Sequence, residues 1–86
     1  MVNGLQIDNA GDKRYYKNSK LHRIGSPAIE LASGTKIWYL NGKRHREDGP
    51  AIEFASGIKF WYYEDKRIFC NSQEEFKRLL KLKAFW

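Results

Sequence analysis

Residues 45–67 read HREDGPAIEFASGIKFWYYEDKR, and residues 22–44, immediately before them, read HRIGSPAIELASGTKIWYLNGKR. Fourteen of the 23 aligned positions are identical, among them Trp38 and Trp61. Identity at this density within 86 residues indicates a duplicated structural unit. The fold is therefore expected to be a stack of 23-residue repeats.

Residues 1–21 contain a weaker copy of the same unit. The segment YYKN at residues 15–18 aligns with WYLN at residues 38–41 at the same offset. Upstream, the alignment needs a longer turn at residues 9–12. Terminal repeats are often atypical because one side has no neighbour to cover. Residues 1–21 are therefore predicted to form a degenerate repeat.

Turn signals divide each unit into short strands. Asn-Gly at residues 41–42 is typical of a two-residue type I′ hairpin. Ser-Gly at residues 33–34 and 56–57 is interpreted as a second two-residue hairpin loop. Pro50 opens a strand, where no ladder N–H is needed. The predicted fold is mainly β, an antiparallel meander of tandem β-hairpins. Its predicted strands are 27–32, 35–40, 43–46, 50–55, 58–63 and 66–69.

These loops predict a register, and the register sorts the side chains onto two faces. The Ser-Gly loop places Ile29 opposite Trp38, and the Asn-Gly loop places Tyr39 opposite Arg44. The predicted core face carries Ile29, Leu31, Trp38, Leu40 and His45, repeated as Ile52, Phe54, Trp61, Tyr63 and Ile68. The predicted amphipathic face carries Ala28, Glu30, Ile37, Tyr39, Arg44 and Arg46, repeated as Ala51, Glu53, Phe60, Tyr62 and Arg67.

The end of the chain predicts one α-helix over residues 72–84. Ser72 and Glu75 are predicted to form a capping box. The Ser72 hydroxyl accepts the backbone N–H of Glu75, and the Glu75 carboxylate reaches back to the backbone N–H of Ser72. The apolar stripe of the helix is Phe76, Leu79 and Leu80, continued by Leu82, Phe85 and Trp86. Because a single-layer sheet needs a cover for its apolar face, this helix is the expected cap.

Composition limits the setting and the partner. The chain is one small domain of 86 residues, with Cys70 as its single cysteine, so no internal disulfide forms. No apolar run is long enough for a membrane span, and no signal peptide is recognised, so a reducing cytoplasmic location is expected. Sixteen basic against ten acidic residues give a net charge of +6, which favours an acidic protein or a nucleic acid as partner.

The residue types that carry chemistry are weakly organised. His22, His45 and Cys70 suggest a metal site, but structural zinc sites need four fixed ligands. The counterpart of His45 in the next unit is Ile68, which favours a packing position against Trp61. A lone thiol without a neighbouring base is usually inert. No catalytic, metal or cofactor site is predicted, and the chain is not expected to be an enzyme.

Glu30 and Glu53 are interpreted as cross-strand partners of arginines such as Arg46, because carboxylates one unit apart are too distant to act on one bond. The opposed pair of Tyr39 and Arg44 suits stacking of the guanidinium on the phenol ring, as does the pair one unit later.

Tyrosines and arginines of the amphipathic face, with basic helix residues, form the candidate binding surface, since aromatic residues and arginine dominate interfaces. The same side chains also suit unpaired bases and phosphates, which is the alternative. An acidic protein is favoured over nucleic acid because Glu30 and Glu53 interrupt the face. The candidate residues are Tyr16, Tyr39, Arg44, Arg46, Tyr62, Arg67, Lys77, Arg78 and Lys81.

The pattern W-Y-x-N-G-K-x-H-R-x-D-G-P-A at residues 38–51 resembles the MORN-variant repeats. The resemblance extends over residues 15–67 and departs from the pattern at residues 24–26 and 64–65. It implies short hairpin units found in bacterial and phage proteins, some of them antitoxin-like, that serve as scaffolds for protein contacts or membrane-surface association. No catalytic set comes with the resemblance. It implies a phage or mobile-element protein that inhibits a host protein by occupying it.

Overall fold

The computed structural model describes residues 1–82 as ten short strands followed by one helix. The end of the predicted helix, together with Phe85 and Trp86, lies outside the described residues. The elements are β1 Gly4–Ile7, β2 Lys13–Lys17, β3 Lys20–Leu21, β4 Ile29–Glu30, β5 Lys36–Ile37, β6 Tyr39–Leu40, β7 Lys43–Arg44, β8 Ile52–Glu53, β9 Lys59–Tyr63, β10 Lys66–Ile68 and α1 Gln73–Leu82.

All strand pairs in this part of the chain are antiparallel. The main sheet has the order β1-β2-β4-β5-β8-β9-β10, with β3 beside β2, and β6 pairs with β7 in a separate hairpin. The predicted mainly β meander with one C-terminal helix is confirmed. Most strands are shorter than predicted. In the second unit the predicted strand 35–40 is divided at Trp38 into β5 and β6, whereas β9 is continuous from Lys59 to Tyr63.

A tight turn of one conformation recurs once in every unit, at residues 18–19, 41–42 and 64–65. Both central residues of each turn have positive φ, for example 50° and 82° at residues 41–42. Positive φ at both positions is the type I′ turn, whose twist matches that of the flanking strands. Residues 64–65 are Glu-Asp, yet they adopt φ of 46° and 71°. The hairpin therefore imposes the turn where the sequence alone does not favour it.

The Ser-Gly loops are one residue longer than predicted. The Leu31 amide donates to the Thr35 carbonyl at 2.9 Å, and the Gly34 amide donates to the Leu31 carbonyl at 2.9 Å. The loop is therefore residues 32–34, with Gly34 at φ 104°. A three-residue loop ending in a left-handed glycine is the second common hairpin connection. The same two hydrogen bonds recur between Asp8, Gly11 and Asp12, and between Phe54, Gly57 and Ile58.

This longer loop corrects the register of each first hairpin. Ile29 pairs with Ile37, not with Trp38, and a one-residue shift changes which side chains share a face. The predicted assignment of Ile37 to the amphipathic face is wrong, as is that of Phe60, which pairs with Ile52. In the observed register, two neighbouring rows of side chains run across the strands, one apolar and one charged. The apolar row is Ile29, Ile37, Ile52 and Phe60, and the charged row is Lys13, Glu30, Lys36, Glu53 and Lys59.

The N-terminal copy is a complete first hairpin in the same register. Gln6 pairs with Arg14, which is the pair of Ile29 and Ile37 moved back by one repeat. The longer turn predicted at residues 9–12 is therefore wrong. The backbone pairing of this copy matches that of the later units, although Gln6 and Arg14 stand where the next unit carries Ile29 and Ile37.

The capping box predicted for α1 is present with one change. The Ser72 hydroxyl accepts from the Glu75 amide at 3.2 Å. The Glu75 carboxylate accepts from the Asn71 amide at 2.9 Å, one residue before the expected donor. Both bonds satisfy N–H groups at the start of the helix that would otherwise lack partners.

α1 packs against the last hairpin of the sheet. Phe76 is fully buried and lies in one cluster with Trp61 and Ile68, and Leu79 and Leu80 pack around it. The other buried apolar side chains lie further along the sheet, at Ala28, Ile29, Ala51 and Ile52. The helix thus caps the third unit rather than the whole sheet. No helix in residues 1–82 is long and apolar enough to cross a bilayer.

Candidate functional site

Arg44 is held within the protein by the next unit. Its Nε donates to Asp65 Oδ1 at 2.7 Å, and its guanidinium lies 4.3 Å from the centre of the Tyr62 ring. Arg44 pairs with Tyr39 across the strands, as predicted, but its stacking partner is Tyr62 in the neighbouring unit. The hydrogen bond from Arg44 lowers the pKa of Asp65 below its usual 3.8. The predicted stacking of Arg44 on Tyr39 is wrong.

Arg46 ties two units together. Its guanidinium lies 3.8 Å from the centre of the Trp38 ring and donates to Glu53 at 2.7 Å and to the Pro50 carbonyl at 3.1 Å. Its side chain is 20% exposed. The predicted pairing with Glu53 is confirmed. Arg23 repeats this arrangement one unit earlier, with Tyr15, Pro27 and Glu30.

Arg67 occupies a more open position. Its guanidinium lies 3.9 Å from the centre of the Phe60 ring and 4.5 Å from that of Phe69. It pairs with Tyr62 across the strands, as predicted, but the predicted stacking on Tyr62 is wrong, because that ring is occupied by Arg44. Arg67 makes no ion pair within residues 1–82. The tyrosines of the candidate surface, Tyr16, Tyr39 and Tyr62, are half-buried. Stacking therefore runs along the repeats and not only across each hairpin.

Each histidine, at the start of its unit, binds the tight turn near the end of the same unit. His22 Nδ1 accepts the Asn41 amide at 3.0 Å, and His45 Nδ1 accepts the Glu64 amide at 3.0 Å. Asn3 Oδ1 accepts the Asn18 amide in the same way at 2.8 Å. His45 also contacts the Tyr63 ring edge-on, with ring centres 4.6 Å apart.

This role was missed by sequence reasoning, which interpreted position 45 as packing. The sequence feature that could have indicated the turn-binding role is the replacement of histidine by isoleucine at residue 68, after the last tight turn. Ile68 has no following turn to bind, because α1 takes the place of a fourth unit. At that end of the stack the same position is apolar and lies against Phe76.

Two sets of exposed cations make no ion pair in the described part of the chain. Lys77, Arg78 and Lys81 lie exposed on α1, as predicted. The second set was not recognised from the sequence and consists of equivalent exposed positions in β3, β7 and β10. We call it the lysine row: Lys20, Lys43 and Lys66. Its signal was the recurrence of lysine once per repeat, directly after each tight turn.

The charged row of the sheet differs from the lysine row in its neighbours. Lys13, Lys36 and Lys59 lie directly opposite Glu30 or Glu53 across the strands. Opposite charges in directly opposed positions attract each other. Each lysine of the charged row therefore has a carboxylate directly opposite it, although Glu30 and Glu53 also bind Arg23 and Arg46. The residues directly opposite the lysine row are Lys17, Leu40 and Tyr63, none of which is acidic.

Groups of side chains that could hold a metal are absent from residues 1–82, where no three His, Cys, Asp or Glu residues come together. Burial raises the pKa of the Cys70 thiol, and the charge of Glu75 adds to the rise. The thiol donates to the Ile68 carbonyl at 3.7 Å. A protonated, half-buried thiol is a poor nucleophile.

No protein-family model, curated protein or solved structure matches the chain. The function therefore has to follow from the side chains and their arrangement.

Proposed function

We propose that the chain is a non-enzymatic protein-binding module that receives an acidic segment of its partner. The observation that carries this proposal is that some cations face carboxylates of the protein itself, whereas others do not. Four arginines are paired with carboxylates of the protein itself, and each lysine of the charged row lies directly opposite a glutamate. The lysine row and the basic side chains of α1 make no such pairs within residues 1–82. These cations remain for a partner.

The geometry of the lysine row supports a linear acidic ligand. The turn of each unit lies against the preceding hairpin, since the Gly42 amide donates to the Leu21 carbonyl and the Asp65 amide to the Arg44 carbonyl, each at 2.8 Å. Equivalent lysines are then two strands apart, a step of about 10 Å. Such a row attracts extended anions and raises their association rate.

Nucleic acid is the second candidate, because a regular row of lysines also suits phosphates. A protein partner is preferred, since single-stranded nucleic-acid sites combine such a row with exposed aromatic platforms. Here Tyr16, Tyr39 and Tyr62 are half-buried. The free Cys70 supports a reducing, cytoplasmic setting. Three hairpin units in one register support membership of the MORN-variant repeats, and with it inhibition of a host protein by occupation.

The test compares two triple variants of equal charge. Alanine at Lys20, Lys43 and Lys66 removes the lysine row, whereas alanine at Lys13, Lys36 and Lys59 removes three lysines from the charged row of the sheet. We expect the first variant to bind a polyglutamate peptide at least ~10-fold more weakly at physiological salt, about 1.4 kcal/mol. The second should bind like the parent.

Equal losses in both variants would show that net charge alone attracts the peptide, and would contradict the proposal. Titration with single- and double-stranded oligonucleotides tests the alternative, that the ligand is a nucleic acid. Tight binding whose logarithm falls linearly with log salt, by about 0.7 to 0.9 for each phosphate neutralised, would establish nucleic acid as the ligand instead.

A further inference from the structure

The side chains that hold α1 have counterparts one unit earlier in the chain. Phe76 of α1 lies in a cluster with Trp61 and Ile68, against which Tyr63 and Cys70 also pack, and Gln73 donates to the Glu47 carbonyl. Their counterparts, one repeat earlier, are Trp38, Leu40, His45, Glu47 and Ile24. All five line a single groove of about 380 Å³ between the loops that follow the first and second units. The groove is therefore the second unit's copy of the α1 site.

In the third unit a hydrogen-bonded carboxamide accompanies the buried ring. Trp61 Nε1 donates to Gln73 Oε1 at 2.9 Å, and Gln73 Nε2 donates to the Glu47 carbonyl at 2.9 Å. In the groove, Trp38 Nε1 has no acceptor among residues 1–82. An indole N–H usually finds an acceptor when its ring is covered. A ligand that covers Trp38 would have to supply one.

The wall of the groove is apolar where α1 would place its ring. Leu40 is half-buried, and Ile24 at the rim is 79% exposed. Arg46 stacks on Trp38, and Glu53 and Asp48 neutralise its charge. Burial of these side chains under an apolar ring would remove area from water that the free protein leaves exposed.

The lysine row supplies charge beside the groove. Lys43 pairs directly with Leu40 across β6 and β7, and directly opposed side chains share a face. An occupant therefore meets apolar side chains in the groove and a cation beside it. The carboxylates in the lining, Glu47 and Asp48, already have partners in His45 and Arg46. The segment Gln-Glu-Glu-Phe at the start of α1, residues 73–76, combines a carboxamide, two carboxylates and a ring at one-turn spacing.

We infer that the groove binds a helix of the partner protein that carries a Gln-x-x-Phe pattern with acidic residues between. The phenylalanine enters between Trp38 and His45, and the carboxamide accepts from Trp38 Nε1. This inference deepens the proposed function and rests on it. A second folded copy is not the occupant, because its own Phe76 is fully buried.

The probe is a blocked synthetic peptide with the sequence of residues 71–82, added to the full-length, isotope-labelled protein. The protein's own helix already occupies the third unit, so the peptide meets only the groove. We expect the indole N–H resonance of Trp38 to shift in a saturable way while that of Trp61 stays in place. A peptide carrying Phe76→Ala should bind at least ~10-fold more weakly, as for a buried aromatic anchor.

Two protein variants locate the site. Ile24→Asn should weaken the peptide at least ~10-fold, about 1.4 kcal/mol, whereas Ile7→Asn should leave binding unchanged. Both positions are exposed isoleucines, at 79% and 57%, so neither change removes a buried side chain. Matching losses in the two variants would overturn the inference, as would no saturable shift at millimolar peptide.

A shift of the Trp61 resonance would show exchange with the protein's own α1, which also overturns a separate site. The polyglutamate titration keeps the two proposals distinct. Ile24→Asn should leave polyglutamate binding unchanged, because that ligand has no ring to place. The experiments can therefore contradict peptide binding in the groove while polyglutamate still binds the lysine row. They can equally contradict polyglutamate binding while the peptide still binds the groove.

Discussion

At the scale of the residue, the polar side chains that recur in each unit mostly join one hairpin to another rather than contact solvent. His22 and His45 accept amides of the tight turn near the end of their own unit. Arg23 and Arg46 stack on a ring of the preceding unit and bind the glutamate of their own. These polar side chains explain how so small a core holds together. Each turn amide that a neighbour satisfies avoids the cost of an unpaired donor.

A histidine substitution tests this role. His22→Ala removes the acceptor of the Asn41 amide and should lower the free energy of unfolding by about 1 kcal/mol. His22→Asn should cost less than half as much, since Asn3 already performs the same function in the first unit with its Oδ1. Urea denaturation of the three proteins decides it. Equal losses for alanine and asparagine would show that ring packing, not the acceptor, matters.

The Arg44–Asp65 pair predicts a pH dependence. Because the folded pKa of Asp65 lies below its usual 3.8, its stabilisation is complete above that value and is lost as pH falls through the folded pKa. The Asp65 side chain is 46% exposed, so the contribution is at most about 1 kcal/mol. The stability gap between the parent and Asp65→Asn should narrow from pH 6 to pH 2.5 in urea melts.

A double-mutant cycle with Arg44→Met isolates the pair from the effects of each single change. Its coupling energy should fall with added salt, since both groups are near solvent. A gap that stays constant down to pH 2.5 would contradict the assignment of the effect to the carboxylate.

At the scale of the element, the two hairpins of each unit show what a sequence can and cannot fix. The Asn-Gly hairpin was placed correctly, because a two-residue turn with positive φ at both positions leaves one arrangement. The Ser-Gly hairpin was not, since a glycine suits the end of a three-residue loop equally well. The choice between them follows from pairing with the next unit, where Lys36 meets Glu53 and Ile37 meets Ile52.

The candidate site, like the hairpins, could be predicted only in part from the sequence. Exposure of Lys77, Arg78 and Lys81 follows from the helical period. The partner of Arg44 does not, since it depends on how far each hairpin is displaced against the next. That displacement places Tyr62, and not Tyr39, under the guanidinium of Arg44. The local sequence does not determine the displacement.

The three-residue loop makes a prediction of its own. Gly34 has φ 104°, a conformation that costs an L-residue about 1 kcal/mol or more. Gly34→Ala should therefore lower the midpoint of thermal unfolding. An added Cβ would also meet Ala55 at 3.5 Å, an ordinary contact, so backbone strain is the main cause. Ser33→Ala is the matched control and should be near neutral. Equal midpoints for all three proteins would refute the loop assignment.

At the scale of the whole molecule, the two ends of the stack are closed by different means. At the start of the chain, the Ser19 amide donates to the Val2 carbonyl at 2.8 Å, and Asn3 binds the first turn, so residues 2–3 stand in for a preceding strand. After the third unit, α1 covers the hairpin where a fourth unit would lie. A repeat stack exposes apolar surface wherever a terminal unit is uncovered.

Removal of this cover is the decisive test of the architecture. Phe76→Ala should lower the free energy of unfolding by about 3 to 5 kcal/mol, as for a fully buried phenylalanine. This is a large fraction of the roughly 5 to 15 kcal/mol that small domains possess. A chain that ends at Asn71 should leave Trp61 and Ile68 uncovered and self-associate in sedimentation experiments.

The matched control lies in the same helix. Leu82→Ala, at a position 64% exposed, should change stability by less than about 0.5 kcal/mol, since surface substitutions rarely exceed that. Similar losses from Phe76→Ala and Leu82→Ala in urea melts would show that α1 packs on a different face. A truncated chain that stays monomeric with parental stability would show that α1 contributes nothing to the core.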